Sequence, residues 1–258
     1  MFELALDPTT WALLCAVALA AGFIDAIAGG GGMLTVPALL TAGLPPHLTL
    51  GTNKLAASFG SLTASVTYFR KQLFNPRFWA ASIIATALGA LIGTLIVDYL
   101  SIAFLNKLLP IVIILVACYS LFGNLSTVED DALPPMNRAT KIKQWLQGFS
   151  LGFFDGLAGP GTGTFWTASN SLLYKMSLLL NCGLARSMNF VSNFVSLITF
   201  VALGHVNFLL GITMGLFLML GAWLGAHSAI RFGSKFIRPV FNTVVIILAL
   251  KLIYEAYL

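Results

Sequence analysis

Hydrophobic and polar positions divide this chain into long apolar runs separated by short polar stretches. The runs cover Trp11 to Gly43, Thr49 to Phe69, Phe78 to Val97, Ile102 to Phe122, Trp145 to Tyr174, Leu178 to Leu203, Phe208 to Ile230 and Phe236 to Leu258. Most match the roughly 20 residues with which an α-helix crosses the hydrocarbon core of a bilayer. The pattern predicts an all-α integral membrane protein.

The first run does not fit a single crossing. Trp11 to Gly43 holds 33 residues, about 50 Å as a continuous helix against a core of about 30 Å. Inside it stand Asp25 and four consecutive glycines, Gly29, Gly30, Gly31 and Gly32, followed by Pro37. Each glycine weakens a helix by roughly 1 kcal/mol relative to Ala, and the proline removes a backbone donor. The run is therefore predicted to break and fold back as a re-entrant hairpin, an arrangement tolerated only where its exposed backbone is buried in protein or lines a cavity.

The feature recurs. "GFIDAIAGGGG" at Gly22 to Gly32 aligns with "GFFDGLAGPGT" at Gly152 to Thr162, offset by 130. At an offset of 132, "LGALIG" from Leu88 meets "LGAWLG" from Leu220, Asn75 meets Asn207, and Lys54 meets Arg186; Pro110 and Pro239 are 129 apart. Landmarks kept in order indicate a duplication, with a period suited to a two-half transporter rather than a solenoid. The predicted organisation is a first transmembrane repeat over 1–123, a polar cytoplasmic linker over 124–143, and a second transmembrane repeat over 144–258.

Charge decides how the halves face. If all eight runs cross, basic residues divide seven against five between the two sides. If the first run of each half is re-entrant, one side collects Arg70, Lys71, Arg77, Arg138, Lys141, Lys143, Lys175, Arg231, Lys235 and Arg238, and the other keeps Lys107 and Lys251. Ten against two is the bias of a positive-inside protein. The expectation is two inverted repeats, each a broken re-entrant hairpin plus three transmembrane helices, with both termini outside.

Composition excludes other classes. Hydrophobic residues make up 58% and charged residues 9%, and the mean hydropathy is +0.91; soluble domains lie near ~45–50% and ~25%. The net charge of +5 comes from basic residues spread over short loops, which are topology signals rather than a nucleic-acid surface. Trp11, Trp79 and Trp145 begin apolar runs, where an indole suits the headgroup boundary. Cys15, Cys118 and Cys182 lack paired spacing, so no metal site, disulfide or cofactor is expected. Glu3 and Asp7 argue against a cleaved signal peptide, although Ala18-Leu19-Ala20 imitates a cleavage site.

Four ionisable side chains remain inside apolar runs: Asp25, Lys54, Asp155 and Arg186. Each costs about 2.5–3.5 kcal/mol near the centre of a membrane helix before pairing. They are candidates for function by default; the competing reading is that the aspartates pair with the cations, or cap the broken helices, and serve assembly alone. Lys54 and Arg186 also have stems long enough to snorkel to an interface. Thr52 and Asn53 adjoin Lys54, and Asn189 and Asn193 follow Arg186 at helical spacing. These amides suit either helix–helix contacts or an anion. Backbone N–H groups freed at the glycines, and helices starting near Met33 and Thr164, add positive dipole ends. The glycine stretches follow no strand and lack the G-K-[ST] ending of a nucleotide loop, and Gly89, Gly93, Gly221 and Gly225 read as helix packing.

At these residues the chain resembles the TauE/SafE sulfite exporter family, a group of multi-span anion transporters. The resemblance rests on "GFIDAIAGGGGMLTVPAL" at 22–39, "GTNKLAASFGSLTASVTYF" at 51–69, "GFFDGLAGPGTGTF" at 152–165 and "ARSMNFVSN" at 185–193, and spans the whole chain. It implies export of sulfite, sulfoacetate or a related small sulfur-containing or organic anion by secondary transport across the cytoplasmic membrane. Carried over by position, Gly29 to Gly32, Asn53, Lys54, Gly159, Gly161, Arg186 and Asn189 line the anion site, and Thr162, Gly163 and Asn193 join them from the second half. Pro160 and Thr162 stand where the first half has Gly30 and Gly32, so the half-sites are not equivalent.

The expected function is a secondary transporter of a small anion, its partners being that anion, the bilayer and a coupling proton carried by Asp25 or Asp155; a homodimer stays open. An anion channel, an uptake carrier and a membrane-embedded scaffold are the alternatives. An enzyme is not expected, because His47, His205 and His227 are scattered and no nucleophile adjoins the intramembrane carboxylates.

Overall fold

A computed structural model describes residues 6–105, 107, 132–233, 235–237, 239 and 243. Most of the runs Ile102 to Phe122 and Phe236 to Leu258, Pro110, Cys118 and residues 124–131 of the expected linker lie outside them. In chain order the helices are α1 (Pro8–Ala28), α2 (Gly32–Thr41), α3 (Pro46–Arg70), α4 (Ala80–Asp98), α5 (Arg138–Leu157), α6 (Thr162–Tyr174), α7 (Leu178–Ala202) and α8 (Phe208–Phe232). No strand occurs among the described residues. Four helices, α1, α4, α7 and α8, are long and apolar enough to cross a membrane. Large apolar side chains such as Leu13, Ile84, Leu88, Ile198, Leu209 and Leu220 are exposed on these helices, the surface of an integral membrane protein rather than of a soluble one.

Local chemistry sets the helix starts. The Asp7 carboxylate accepts from the Thr10 N–H at the head of α1, and the Thr10 and Thr9 hydroxyls that also donate to it hold this carboxyl down at about 2. Asn137 caps α5 through the Thr140 N–H at 2.8 Å, and Asn207 caps α8 through the Leu210 N–H at 3.1 Å. Asn75, the repeat partner of Asn207, accepts from the Phe78 N–H at 3.2 Å. Helix α5 begins within the stretch expected to be a linker, so residues 138–143 form its first turns.

Both long first runs break and turn back. In the second half the pairing is direct: Phe154 and Phe165 meet edge to face, the Gln147 amide donates to Ser169 and Asn170, and Lys143 reaches the Leu173 carbonyl. Helix α6 thus returns along α5. In the first half, Leu39 and Leu44 share an apolar cluster with Leu14, Ala18 and Ala21, placing the end of α2 beside the start of α1. Helix α1 is itself 21 residues long, so its tip reaches deep before the chain reverses.

Small residues let the halves approach closely, and the contacts are exchanged between them. Gly22 of α1 faces Leu218 of α8, where a Cβ would lie 2.2 Å from the Leu218 carbonyl oxygen; Gly152 of α5 faces Thr86 of α4, where it would lie 2.3 Å away. Likewise Gly221 and Gly225 abut Leu19 and Phe23, while Gly89 and Gly93 abut Phe149 and Phe153. Each pair maps onto the other by the repeat offsets of 130 and 132.

The α3–α4 turn, the start of α5 and the α6–α7 turn gather at one end, through Gln144 to the Phe78 carbonyl and the cluster of Trp79, Tyr174, Met176 and Leu73. At the opposite end the tail of α4 meets the α7–α8 turn, with His205 Nε2 at 2.7 Å from Asp98 Oδ1. His47 stacks on His205 at 5.2 Å, so two histidines that look scattered in sequence are neighbours.

Candidate functional site

The two breaks meet. Asp25, one turn before the end of α1, turns its Oδ1 to the N–H groups of Gly30 at 3.1 Å and Gly31 at 3.0 Å. The chain reverses there with φ of 77° at Gly29 and 111° at Gly30, values an L side chain rarely adopts. A Cβ on Gly29 would also sit 2.4 Å from the Gly163 carbonyl carbon of the other tip. The glycines are thus required twice, by the turn and by the contact.

Lys54 and Arg186 are 1% and 0% exposed, so neither snorkels to an interface. Lys54 Nζ lies 2.9 Å from Asp155 Oδ1 and donates to Asn193 Oδ1 at 3.1 Å, which leaves one ammonium proton uncommitted. Arg186 Nη1 lies 3.6 Å from Asp25 Oδ1. Its guanidinium bonds the Asp25 carbonyl through Nη1 and the Gly163 carbonyl, at 3.0 Å, through Nη2. Each cation pairs with the aspartate of the other half.

The carboxylates are held differently. Asp155 accepts from no backbone N–H among the described residues: Pro160, in the place of Gly30, has none to give, and the N–H of Gly161, in the place of Gly31, is not engaged. Its oxygens take Lys54, the Thr162 hydroxyl at 3.0 Å and the Ser192 hydroxyl.

A cavity lies where the tips meet, with about 30 Å³ open to the centre of a water-sized group, enough for a species of a few atoms. Of the residues expected at the site, Asp25, Gly30, Gly31, Gly32, Asn53, Lys54, Asp155, Gly159, Gly161, Thr162, Gly163, Asn189 and Asn193 line it. Gly29 and Arg186 do not. Gly29 is packed against Gly163, and Arg186 turns its two terminal nitrogens to the backbone carbonyls that join the tips, while its Nε is buried without a partner among the described residues. The expectation that all four first-half glycines offer N–H groups also fails in part: Asp25 takes those of Gly30 and Gly31, and the Gly29 N–H closes on the Asp25 carbonyl at 3.0 Å. The N–H groups of Gly32, Gly161 and Gly163 have no partner among the described residues. They stand at the N-termini of α2 and α6, where backbone donors and the helix dipole favour an anion.

The side chains of the wall mix donors with acceptors. Asn53 is oriented by the Thr35 hydroxyl, which donates to its Oδ1 at 2.6 Å, so its NH₂ is turned away from that bond. Asn189 Oδ1, an acceptor, is buried without a partner among the described residues. Thr35, Ala57, Gly60 and Ser61 also line the space, and sequence reading missed them along with Ser192. The repeat offset of 132 supplies the signal: Ala57, Gly60 and Ser61 are the counterparts of Asn189, Ser192 and Asn193. Among the described residues no group of His, Cys, Asp and Glu is arranged to hold a metal.

Comparison with known proteins gives a consistent identity. Residues 14–252 match the family model "Sulfite exporter TauE/SafE". The chain is 37% identical over 248 residues, 95% of its length and 94% of the other's, to a Haemophilus influenzae protein named "Probable membrane transporter protein". It is 38% identical over 246 residues, covering 95% of this chain and 92% of the other, to "Probable membrane transporter protein ORF9" of a Sinorhizobium species. With "Probable membrane transporter protein YfcA" of Escherichia coli K12 the identity is 33% over 251 residues, 97% and 92% of the two chains. No solved structure matches.

Proposed function

The chain belongs to the TauE/SafE sulfite exporter family, a family of membrane transporters, and from that premise we propose that it is a secondary transporter that exports a small oxyanion of the sulfite or sulfonate class. The observation that carries this reading is the cavity between the two hairpin tips. There a buried lysine with a spare proton, asparagine amides and the unpartnered N–H groups of Gly32, Gly161 and Gly163 converge. A small anion with several acceptor oxygens satisfies them together. Each unmatched donor in so buried a place otherwise costs about 1–3 kcal/mol.

We read the halves as inverted repeats in the cytoplasmic membrane, each contributing one re-entrant hairpin. The exchanged glycine contacts support a two-fold relation between the halves. The gathering of Arg70, Lys71, Arg77, Lys143 and Lys175 at one end supports a cytoplasmic face there. The start of α1 then lies outside. Rocking of one half against the other about the tips would expose the cavity to each side in turn, coupled to a proton.

Saturable counterflow of labelled sulfite into proteoliposomes preloaded with unlabelled sulfite tests the reading. A carrier accelerates exchange over net flux. Flux that rises linearly with concentration assigns a channel instead, and no sulfite-dependent flux removes the reading.

A further inference from the structure

We propose that Asp155, and not Asp25, is the carboxylate that takes up a proton as an anion binds, freeing Lys54 to engage that anion. The inference rests on the transporter reading and adds which residue couples, and in what ratio.

Charge balance comes first. Two cations and two carboxylates meet at the tips, so the empty site is neutral. An anion entering so buried a place adds an uncompensated charge, which is costly at low dielectric. Protonating one carboxylate restores neutrality, and the surroundings of the two aspartates decide which one accepts the proton.

Asp25 is held by donors that cannot reverse. The Gly30 and Gly31 N–H groups can only donate, and they set the turn of the first hairpin. A proton on their acceptor oxygen would weaken both bonds and loosen the tip. Asp155 instead faces two hydroxyls, Thr162 and Ser192. A hydroxyl can donate to a carboxylate or accept from a carboxylic acid. The protonated form of Asp155 therefore stays hydrogen-bonded on both oxygens: its O–H donates to one hydroxyl, which turns its own proton to the Gly159 carbonyl (Thr162) or to the Met188 or Asn189 carbonyl (Ser192), while its other oxygen still accepts, and only its attraction for Lys54 is lost. Lys54 keeps Asn193 and borders free space lined by the small residues Ala57, Gly60 and Ser61.

Few charged groups face Asp155. Lys54 comes from α3. Arg186 of α7 is committed to Asp25 and two carbonyls, and Asp25 lines the same cavity from α1. Helix α4 packs on α5 but has Asp98 as its sole ionisable residue, and that lies at the far end against His205. In the proposed step a proton from the water on the open side bonds a carboxylate oxygen of Asp155, Lys54 stays an ammonium, and its ion pair passes to the anion. Departure of the anion reverses both changes. One proton then accompanies each monoanion, an electroneutral exchange of site charge.

Calorimetric titration of the purified protein with sulfite, methanesulfonate and isethionate, at a pH where each is a monoanion and in buffers of different ionisation enthalpy, counts protons taken up per anion bound. For wild type we expect about one proton beyond those the free anion itself exchanges, and for Asp155→Asn none. Ser192→Ala leaves the carboxylate but removes a hydroxyl whose charge-assisted bond to the ionised form is stronger than its bond to the acid. It should move the midpoint of pH-dependent binding to higher pH, and it keeps the proposal testable if Asp155→Asn does not fold. Anion binding by wild type without proton uptake overturns the proposal, as does unchanged uptake in Asp155→Asn or an unmoved midpoint in Ser192→Ala. Failure of wild type to bind any of the three anions removes the transporter reading, and this proposal with it.

Discussion

Lys54 and Asp155 stand 2.9 Å apart, whereas their repeat counterparts Arg186 and Asp25 stand 3.6 Å apart. The same two charge types recur in the two halves and pair crosswise, but in different surroundings. The tighter pair lines the cavity; in the looser one the guanidinium serves as a clamp on backbone carbonyls and the carboxylate as a cap on a glycine turn.

Breaking the tighter pair should damage both stability and binding, and the two losses should separate. Lys54→Met leaves a buried carboxylate unpaired, a loss of about 3–5 kcal/mol, and should abolish stabilisation by sulfite. The double variant Lys54→Met with Asp155→Asn should recover most of the stability and none of the binding. Thermal unfolding in detergent, with and without sulfite, measures each. Binding retained by Lys54→Met would contradict the assignment of this residue to the site.

Arg186 should behave in the opposite way. Arg186→Lys keeps the charge but cannot reach the Asp25 and Gly163 carbonyls together. Hydrogen bonds to charged groups contribute about 1.5–3 kcal/mol each, so the variant should lose a large part of its thermal stability. The fraction that stays folded should retain more sulfite affinity than Lys54→Met, because Arg186 does not line the cavity.

The two glycine-lined helix contacts should respond alike. A Cβ at Gly93 would lie 2.2 Å from the Phe153 carbonyl oxygen, and one at Gly225 would lie 2.4 Å from that of Phe23. Gly93→Ala and Gly225→Ala should each cost about 1–3 kcal/mol or more, since backbone must move. Leu220→Ala, on an exposed lipid-facing position, should cost little. A melting-temperature series compares the three, and equal effects at all positions would refute the close packing.

Orientation can be read by labelling. In a background with Cys15, Cys118 and Cys182 replaced, Tyr99→Cys, fully out of the protein at 87% exposure, should react with an impermeant thiol reagent in intact cells. Gln72→Cys, exposed in the α3–α4 turn, should react only after permeabilisation. The reverse pattern would invert the topology.

Much was legible in the chain because it depends on local chemistry. Long apolar runs demand a bilayer, glycine clusters demand breaks, and the repeat of Gly22 to Gly32 at Gly152 to Thr162 announces two related hairpins. That Lys54 and Arg186 lie within apolar segments was legible too; that they are buried rather than snorkelling to an interface was not. The division of labour within the glycine run was not legible. It turns on Asp25 reaching five and six residues ahead to Gly30 and Gly31, and Pro160 denying Asp155 the first of those bonds. The absence of Arg186 from the cavity wall, and the presence of Thr35, Ala57, Gly60 and Ser61 on it, were likewise hidden.

Local chemistry along the chain sets the solvent, the breaks and the inventory of charges within apolar segments, since each follows from the cost of placing a given residue in a helix or in hydrocarbon. Which cation meets which carboxylate, and which N–H groups stay unpartnered among the described residues, is fixed by packing in three dimensions. Those outcomes depend on residues more than a hundred positions apart approaching within hydrogen-bonding distance. That approach is set by the packing of α1 on α8 and α4 on α5, where glycine positions bring backbones together, and not by any property of the neighbouring residues in the chain.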